Sequence, residues 1–496
     1  MDTGLRWKQH IDEIQRKATK TISALSSLGS STWGLKFKDL RKIYRSVAIP
    51  QIMYACSAWS NTNWKTRGAP YTKHTLAKLE SLQARAARMI SGAFRATSGP
   101  ALDVETHLLP MEHRIWKHNL EALTRLGPAK PEPARPKISP RNAIRRVLDS
   151  IQGPGLKEQE SIPPYITPPW WQGPKTYIEE TADKAIARHR EEQNALTLYT
   201  DGSGINGHLG AAAVCITNGK VRTSYMGDEN VSTVYAAELQ GIALALQIAL
   251  DAMGEQHRRD KVCIYTDNQA AIRSVAKPKG KSGAYLLHKI ARLIDDLHQQ
   301  HVRVEIRWVP SHQGIRGNEA ADKAAKEATG WRDDNQTGPR AETPPDIYPL
   351  RTAMRAWISR TAFRNWQQGW EKETRGRTTF RHTRKPTRKV LQLHAQLNKR
   401  QSSLLTQLRT EKIGLKDFLF NRHVPGVTDP KCDCGARWQT VMHVLLQCRK
   451  HQRLRRQLLG PFPGSLRRIV SEGKLAVKAI KFMEQTRILG QFRIET

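Results

Sequence analysis

Acidic residues are scarce in this chain. Its 496 residues hold 45 Asp and Glu against 81 Lys and Arg, a formal net charge of +36. Cysteine is scarce too, with six residues, of which Cys56, Cys215 and Cys263 stand alone in apolar settings. That is a poor basis for a secreted disulfide scaffold, and it fits reduced core thiols in an intracellular protein. The first ten residues are polar, so no secretory leader is expected. No run of about 18 apolar residues occurs, which argues against a transmembrane helix and a membrane partner. Internal repeats are missing as well, so a solenoid is not expected. What remains is a chain 39% hydrophobic and 25% charged, compatible with about two to four folded domains.

The charge is unevenly placed. Residues 1–196 carry 31 basic against 18 acidic side chains, residues 197–330 carry 16 against 14, and residues 331–496 carry 34 against 13. Basic flanks suit a polyanion, because Lys and Arg that neutralise phosphates release condensed counterions. In the near-neutral middle, acidic clusters must serve some purpose other than bulk charge.

Periodicity divides the chain in the same way. Residues 1–126 read as helical: Ile11, Ile14, Ala18, Ile22 and Leu25 recur at helical spacing, as do Leu76, Leu79, Leu82, Ala86, Met89 and Ile90. Residues 127–193 are dense in proline and read as a linker. Residues 194–330 alternate between the two periods. Strands are expected near 197–200, 210–216, 220–225, 262–266 and 302–309, and helices near 233–250, 284–299 and 318–328. That order predicts an α/β layer on a mixed five-stranded sheet with flanking helices. Residues 331–349 read as a second linker, and 350–496 as a basic helical region.

Four carboxylates in the middle segment stand where chemistry would want them. Asp201 closes the first strand in Tyr199-Thr200-Asp201-Gly202, and Glu238 lies on the first helix. Asp267 closes a later strand in Tyr265-Thr266-Asp267-Asn268, and Asp322 lies on the last helix. Any one Asp is readily a turn or cap residue, as Asp201 before Gly202 illustrates. Four converging at strand ends would repel one another unless a cation sat between them. Hard divalent ions prefer such oxygen donors.

In these segments the chain resembles type 1 ribonuclease H. The ordered acids, followed by Ser311-His312-Gln313-Gly314-Ile315-Arg316-Gly317-Asn318-Glu319-Ala320-Ala321-Asp322, carry the resemblance over about 135 residues. It implies a ribonuclease H-like fold and hydrolysis of the RNA strand of an RNA–DNA hybrid. It also implies two Mg²⁺ or Mn²⁺ held by Asp201, Glu238, Asp267 and Asp322. His312 would assist proton transfer or product release, on a loop loosened by Gly314 and Gly317, although a lone histidine is more often a surface or packing residue. Gly202 would admit the hybrid backbone, and Asn268 and Asn318 would hydrogen-bond to it. No basic handle insert is seen, so grip on the hybrid would fall to the flanks.

A Cys/His cluster lies at 432–448: Cys432, Cys434, His443 and Cys448, spaced C-x-C-x₈-H-x₄-C. Three thiolates and an imidazole make a closed structural zinc set, although the first pair is tighter than usual. His451 is an alternative ligand. The cluster resembles the C-terminal zinc knuckle of non-LTR retrotransposons. Leu5 to Ile11 and Arg41 to Trp59 resemble the region after the polymerase palm in such elements, especially fungal ones. No Tyr-x-Asp-Asp polymerase motif occurs, and Asp295-Asp296 stands in a helical context. The resemblance implies the C-terminal portion of an element polyprotein, binding RNA and DNA through its flanks and placed in the nucleus rather than the cytoplasm. A catalytically inactive nucleic-acid-binding relic and a ribonucleoprotein scaffold are the competing readings.

Overall fold

The computed structural model describes residues 7–60, 72–126, 159–253, 259–333, 337–461 and 463–490. The described residues form two compact units, one from those within 1–120 and 360–490 and the other from those within 121–126 and 159–359.

The second unit is a mixed α/β sheet of six strands in the order β1-β6-β5-β2-β3-β4. The strands are β1 (Lys175–Tyr177), β2 (Leu196–Ile205), β3 (His208–Val214), β4 (Val221–Asp228), β5 (Lys261–Thr266) and β6 (Arg303–Trp308). Strand β2 runs antiparallel to β3 and parallel to β5, and β5 runs parallel to β6. In β6, Val304 and Ile306 face the core while Arg307 and Glu305 form an ion-pair network with Lys261 and Glu192. Cys263 lies against that network, and the two cations there already neutralise the carboxylates.

The helix Val234–Ala252 starts at Thr233, whose side chain accepts from the Ala236 amide. Alanine and leucine surround it on nearly every side, the composition of a helix buried within a domain. It is the one described helix long and apolar enough to cross a membrane, and 72% of its apolar window is buried in this core.

Residues 159–193 and 331–349, expected as linkers, are part of the α/β unit. Ile166 and Leu350 are buried in its core, with Ile162, Trp171, Ile178 and Ile347 packed against it. β1 pairs parallel with β6 and makes the sheet six-stranded rather than five. It covers what would otherwise be an open edge. The carboxylate of Glu160 is wholly buried and accepts from Ser282 Oγ and from the amides of Gly283 and Arg351. Its own amide donates to Pro349, so one residue pins both supposed linkers to the domain. Residues 127–158, the rest of the first expected linker, lie outside the described residues.

The other unit is helical and joins segments expected to be separate. Ile11, Ile14, Ala18, Ile22 and Leu25 are buried on Lys8–Ser26, and Leu79, Leu82, Ala86 and Ile90 on Lys73–Ser91, as their spacing predicts. From the C-terminal side, the ring of His394 stacks on Phe37 at 4.1 Å. Lys399 Nζ donates to the carbonyls of Met89 and Ile90 at 2.8 and 2.9 Å. Arg409 is buried with Glu105, making a bidentate pair at 2.7 and 3.0 Å, and also donates to Val470 O and Thr383 Oγ1. A charge pair removed from water this completely survives only with such full hydrogen bonding.

Candidate active site and metal centres

Strand β2 is longer than its spacing suggested, and Asp201 lies within it rather than at its end. Parallel pairing with β5 stops at Thr200 and Thr266, while β2 continues against β3, with Asp201 opposite Ala212. Asp201 therefore stands at the point where β5 falls away, and Asp267 is the first residue beyond β5.

Glu238 arrives from the Val234–Ala252 helix, and Gly202 decides how close that helix can come. A Cβ at Gly202 would lie 2.4 Å from the Glu238 amide nitrogen. The missing side chain thus makes room for the helix backbone, a different use from the expected approach of a hybrid. The result is convergence: carboxylate oxygens of Asp201, Glu238 and Asp267 lie within 4.8 Å of one another.

Electrostatics follow from that packing. Burial, then the charges of Asp267 and Asp322, pushes the Asp201 carboxyl up to about 7. Burial, then Asp201 and Asp267, pushes Glu238 up to about 9. Glu238 Oε2 is buried with no hydrogen-bond partner among the described residues. An orphaned oxygen beside two further carboxylates fits a hard divalent cation.

The fourth acid is nearby but engaged. Asp322, on the helix Arg316–Ala328, accepts from Lys326 Nζ at 2.7 Å and stands outside the three-carboxylate cluster. Ser311 Oγ donates to Asp267 Oδ2 at 2.7 Å. Neither Lys326 nor Ser311 was singled out from the sequence. Lys326 was legible as the residue four positions after Asp322 on one helix face.

The remaining expected residues divide. His312 is exposed in a left-handed conformation (φ 53°) on the loop beyond Ser311. Gly314, in the same loop, has positive φ and open space around it. Gly317 is not a loop hinge: its Cβ would strike the Tyr199 ring at 2.2 Å, so it is a packing position at the start of a helix. Asn268 Oδ1 caps the helix Gln269–Ala276 by accepting from the Ala271 amide at 3.0 Å. Asn318 is buried, with Oδ1 unpartnered among the described residues.

In the helical unit, Cys432, Cys434, His443 and Cys448 come together with their ligand atoms within 4.8 Å. Cys432 and Cys448 Sγ are 3.7 Å apart, and Cys434 Sγ is 3.2 Å from His443 Nε2. A tetrahedral zinc with Zn–S near 2.3 Å places its sulfurs about 3.8 Å apart, so the donor set fits. The Ala436 amide and the neighbouring thiols and imidazole hold the Cys434 thiol below its ordinary range. His451 packs edge-on to Phe482 instead, outside the four.

Residues 193–330 match the family described as RNase H. A ribonuclease H of Nitrosomonas eutropha is 32% identical over 153 residues, covering 28% of this chain and 91% of that protein. The chain belongs to the ribonuclease H family. The Pol polyprotein of equine infectious anemia virus (strain Wyoming) is also 32% identical, over 136 residues. That ribonuclease H match takes up 27% of this chain and spans only 11% of the polyprotein's length. Among solved structures, RNase H1 of Halobacterium salinarum covers 27% of this chain and 95% of its own, at 21% identity and a TM-score of 0.21.

Proposed function

We propose that the α/β unit is an endoribonuclease that hydrolyses the RNA strand of RNA–DNA hybrids, with Asp201, Glu238, Asp267 and Asp322 holding two Mg²⁺ or Mn²⁺. The observation that carries this reading is the convergence of three carboxylates, from a strand, the end of a second strand and a helix, within 4.8 Å. Two such ions, when bound, activate the attacking water and stabilise the leaving oxygen. The protein's part is to fix the acids on the sheet and the helices packed against it. Ser311 holds the Asp267 carboxylate in one orientation. Lys326 neutralises Asp322 and must yield it to an incoming ion. His312, exposed on its loop, would assist proton transfer or product release. Asn268 and Asn318 would hydrogen-bond to the hybrid, and 2′-hydroxyl contacts would separate RNA from DNA.

The test is cleavage of an end-labelled hybrid by the full chain with Mg²⁺ or Mn²⁺, with chelator, and beside single-stranded RNA and duplex DNA. Metal-dependent loss of the hybrid's RNA strand alone is the expected result. No cleavage from a folded sample would leave the unit a binding relic.

The wider setting belongs to the same proposal. The basic helical unit serves as a nucleic-acid surface with one structural zinc at Cys432, Cys434, His443 and Cys448, in a protein derived from a non-LTR retrotransposon and acting in the nucleus. Purified protein should carry about one zinc that a chelator removes with local loss of structure, because binding and folding are coupled in small zinc units.

A further inference from the structure

We infer that the segment from Lys431 to Pro461 carries a two-part subsite for single-stranded nucleic acid: a phosphate cavity lined by arginines and a base-stacking platform at Trp438. This deepens the reading of the basic unit as a nucleic-acid surface and is independent of hybrid cleavage.

The cavity has a volume of about 380 Å³ and is lined by Gln447, Arg449, Gln452, Arg455 and Arg456 among others, with no carboxylate. Arg455 is its buried wall. It is 7% exposed, and it donates to the carbonyls of Leu445, Val444 and Cys448, which ties the cavity to the Cys/His turn. Arg449 and Arg456 are exposed, and among the described residues no carboxylate pairs with them. Between residues 431 and 463 there are seven Lys and Arg and a single acid, Asp433. That acid is already taken by Lys416 and Lys450, so it does not neutralise the arginines. Free guanidinium groups around a polar recess match the fork geometry of phosphate oxygens.

Trp438 supplies the second part. It is 49% exposed, with the Arg437 guanidinium 4.4 Å from its ring centroid. Its neighbour Gln439 is buried and holds the backbone in place: the Gln439 amide donates to Pro430 O, and Gln439 Oε1 accepts from the Lys416 amide. Met442, four positions on, is also 49% exposed. A half-exposed indole braced by an arginine, in a segment of excess positive charge, is the combination that holds unpaired bases, whose π-faces stack regardless of sequence. Duplex DNA offers no such open face.

The test is the affinity of the full chain for a fluorescent oligo-dT, with chelated Mg²⁺, across a salt series. Replacing Arg449 and Arg456 together by alanine should weaken binding about tenfold and lower the salt slope by about 1.4, or 0.7 for each phosphate left without its arginine. Trp438→Ala should weaken binding about tenfold with the slope unchanged, and Trp438→Phe should restore most of it. The control replaces Arg453 and Arg467, exposed and outside the cavity, and should cost under twofold. Unchanged zinc content reports that each variant is folded. Equal losses for the two arginine pairs, or wild-type binding by the cavity variant, would overturn the subsite while leaving general nucleic-acid binding intact. Failure of the wild-type chain to bind the oligonucleotide at all would sink the broader reading as well.

Discussion

The two units of this protein handle charge in opposite ways. The ribonuclease H segment is nearly neutral, with 16 basic and 14 acidic side chains over 197–330, and it concentrates carboxylates that repel one another in one buried place. The residues after 330, most of which belong to the helical unit, hold 34 basic against 13 acidic side chains, and most of the described basic ones are exposed. In the first, like charges are buried together at an electrostatic cost. In the second, the charges stay in water. The helical unit buries a charge pair at Arg409, but there the partner Glu105 is built in.

Substitutions can break this contrast. Asp267→Asn removes one pole of the acidic cluster. Hybrid cleavage should fall by at least about 10³-fold, since a metal ligand contributes several kcal/mol of transition-state stabilisation. The melting temperature should stay within a few degrees. An unchanged rate would exclude Asp267 from metal binding.

In the helical unit, Arg409→Ala leaves Glu105 buried without its partner and should cost about 3–5 kcal/mol. Two-unit unfolding followed by calorimetry should show the helical transition moving down with the ribonuclease H transition in place. A shift of both transitions would mean that the units do not unfold separately. A smaller effect is expected from Gly317→Ala, whose methyl meets the Tyr199 ring. It should lower ribonuclease H stability by about 1–3 kcal/mol, read by denaturant titration, because overpacking forces side chains off their preferred rotamers.

A further test concerns pH. Folding raises Asp201 to about 7 and Glu238 to about 9. Above about pH 4 the unfolded chain releases these protons while the folded chain keeps them, so ion-free stability falls as pH rises. With chelator, the ribonuclease H melting temperature should drop between pH 5 and pH 8. Saturating Mg²⁺ should recover more at pH 8 than at pH 5. A flat profile with chelator would show that the acids are not coupled in this way.

Much of the ribonuclease H unit was legible because its signals are local. Asp201, Glu238, Asp267 and Asp322 each sit in a short, recognisable context, and the strands and helices between them keep clean periods. The linker reading of 159–193 and 331–349 failed for a physical reason. β1 has three residues, too few to show a period, and proline density marks irregular backbone without saying whether it is packed. Gly202 was legible as special, but the atom that demands it, the Glu238 amide, is 36 positions away in the chain. Likewise nothing near Glu160 announces that its carboxylate will meet Gly283 and Arg351.

The sequence by itself determined the chemistry available: which acids could hold a cation, which thiols could join one histidine, and which segments carry excess positive charge. Tertiary structure alone decided the edge of the domain, the position of Asp201 within a strand, the engagement of Asp322 by Lys326, and the union of both flanks into one unit. The reason is range. Donor type and periodicity are written in neighbouring residues, whereas burial, close approach and pairing depend on atoms that only folding brings together.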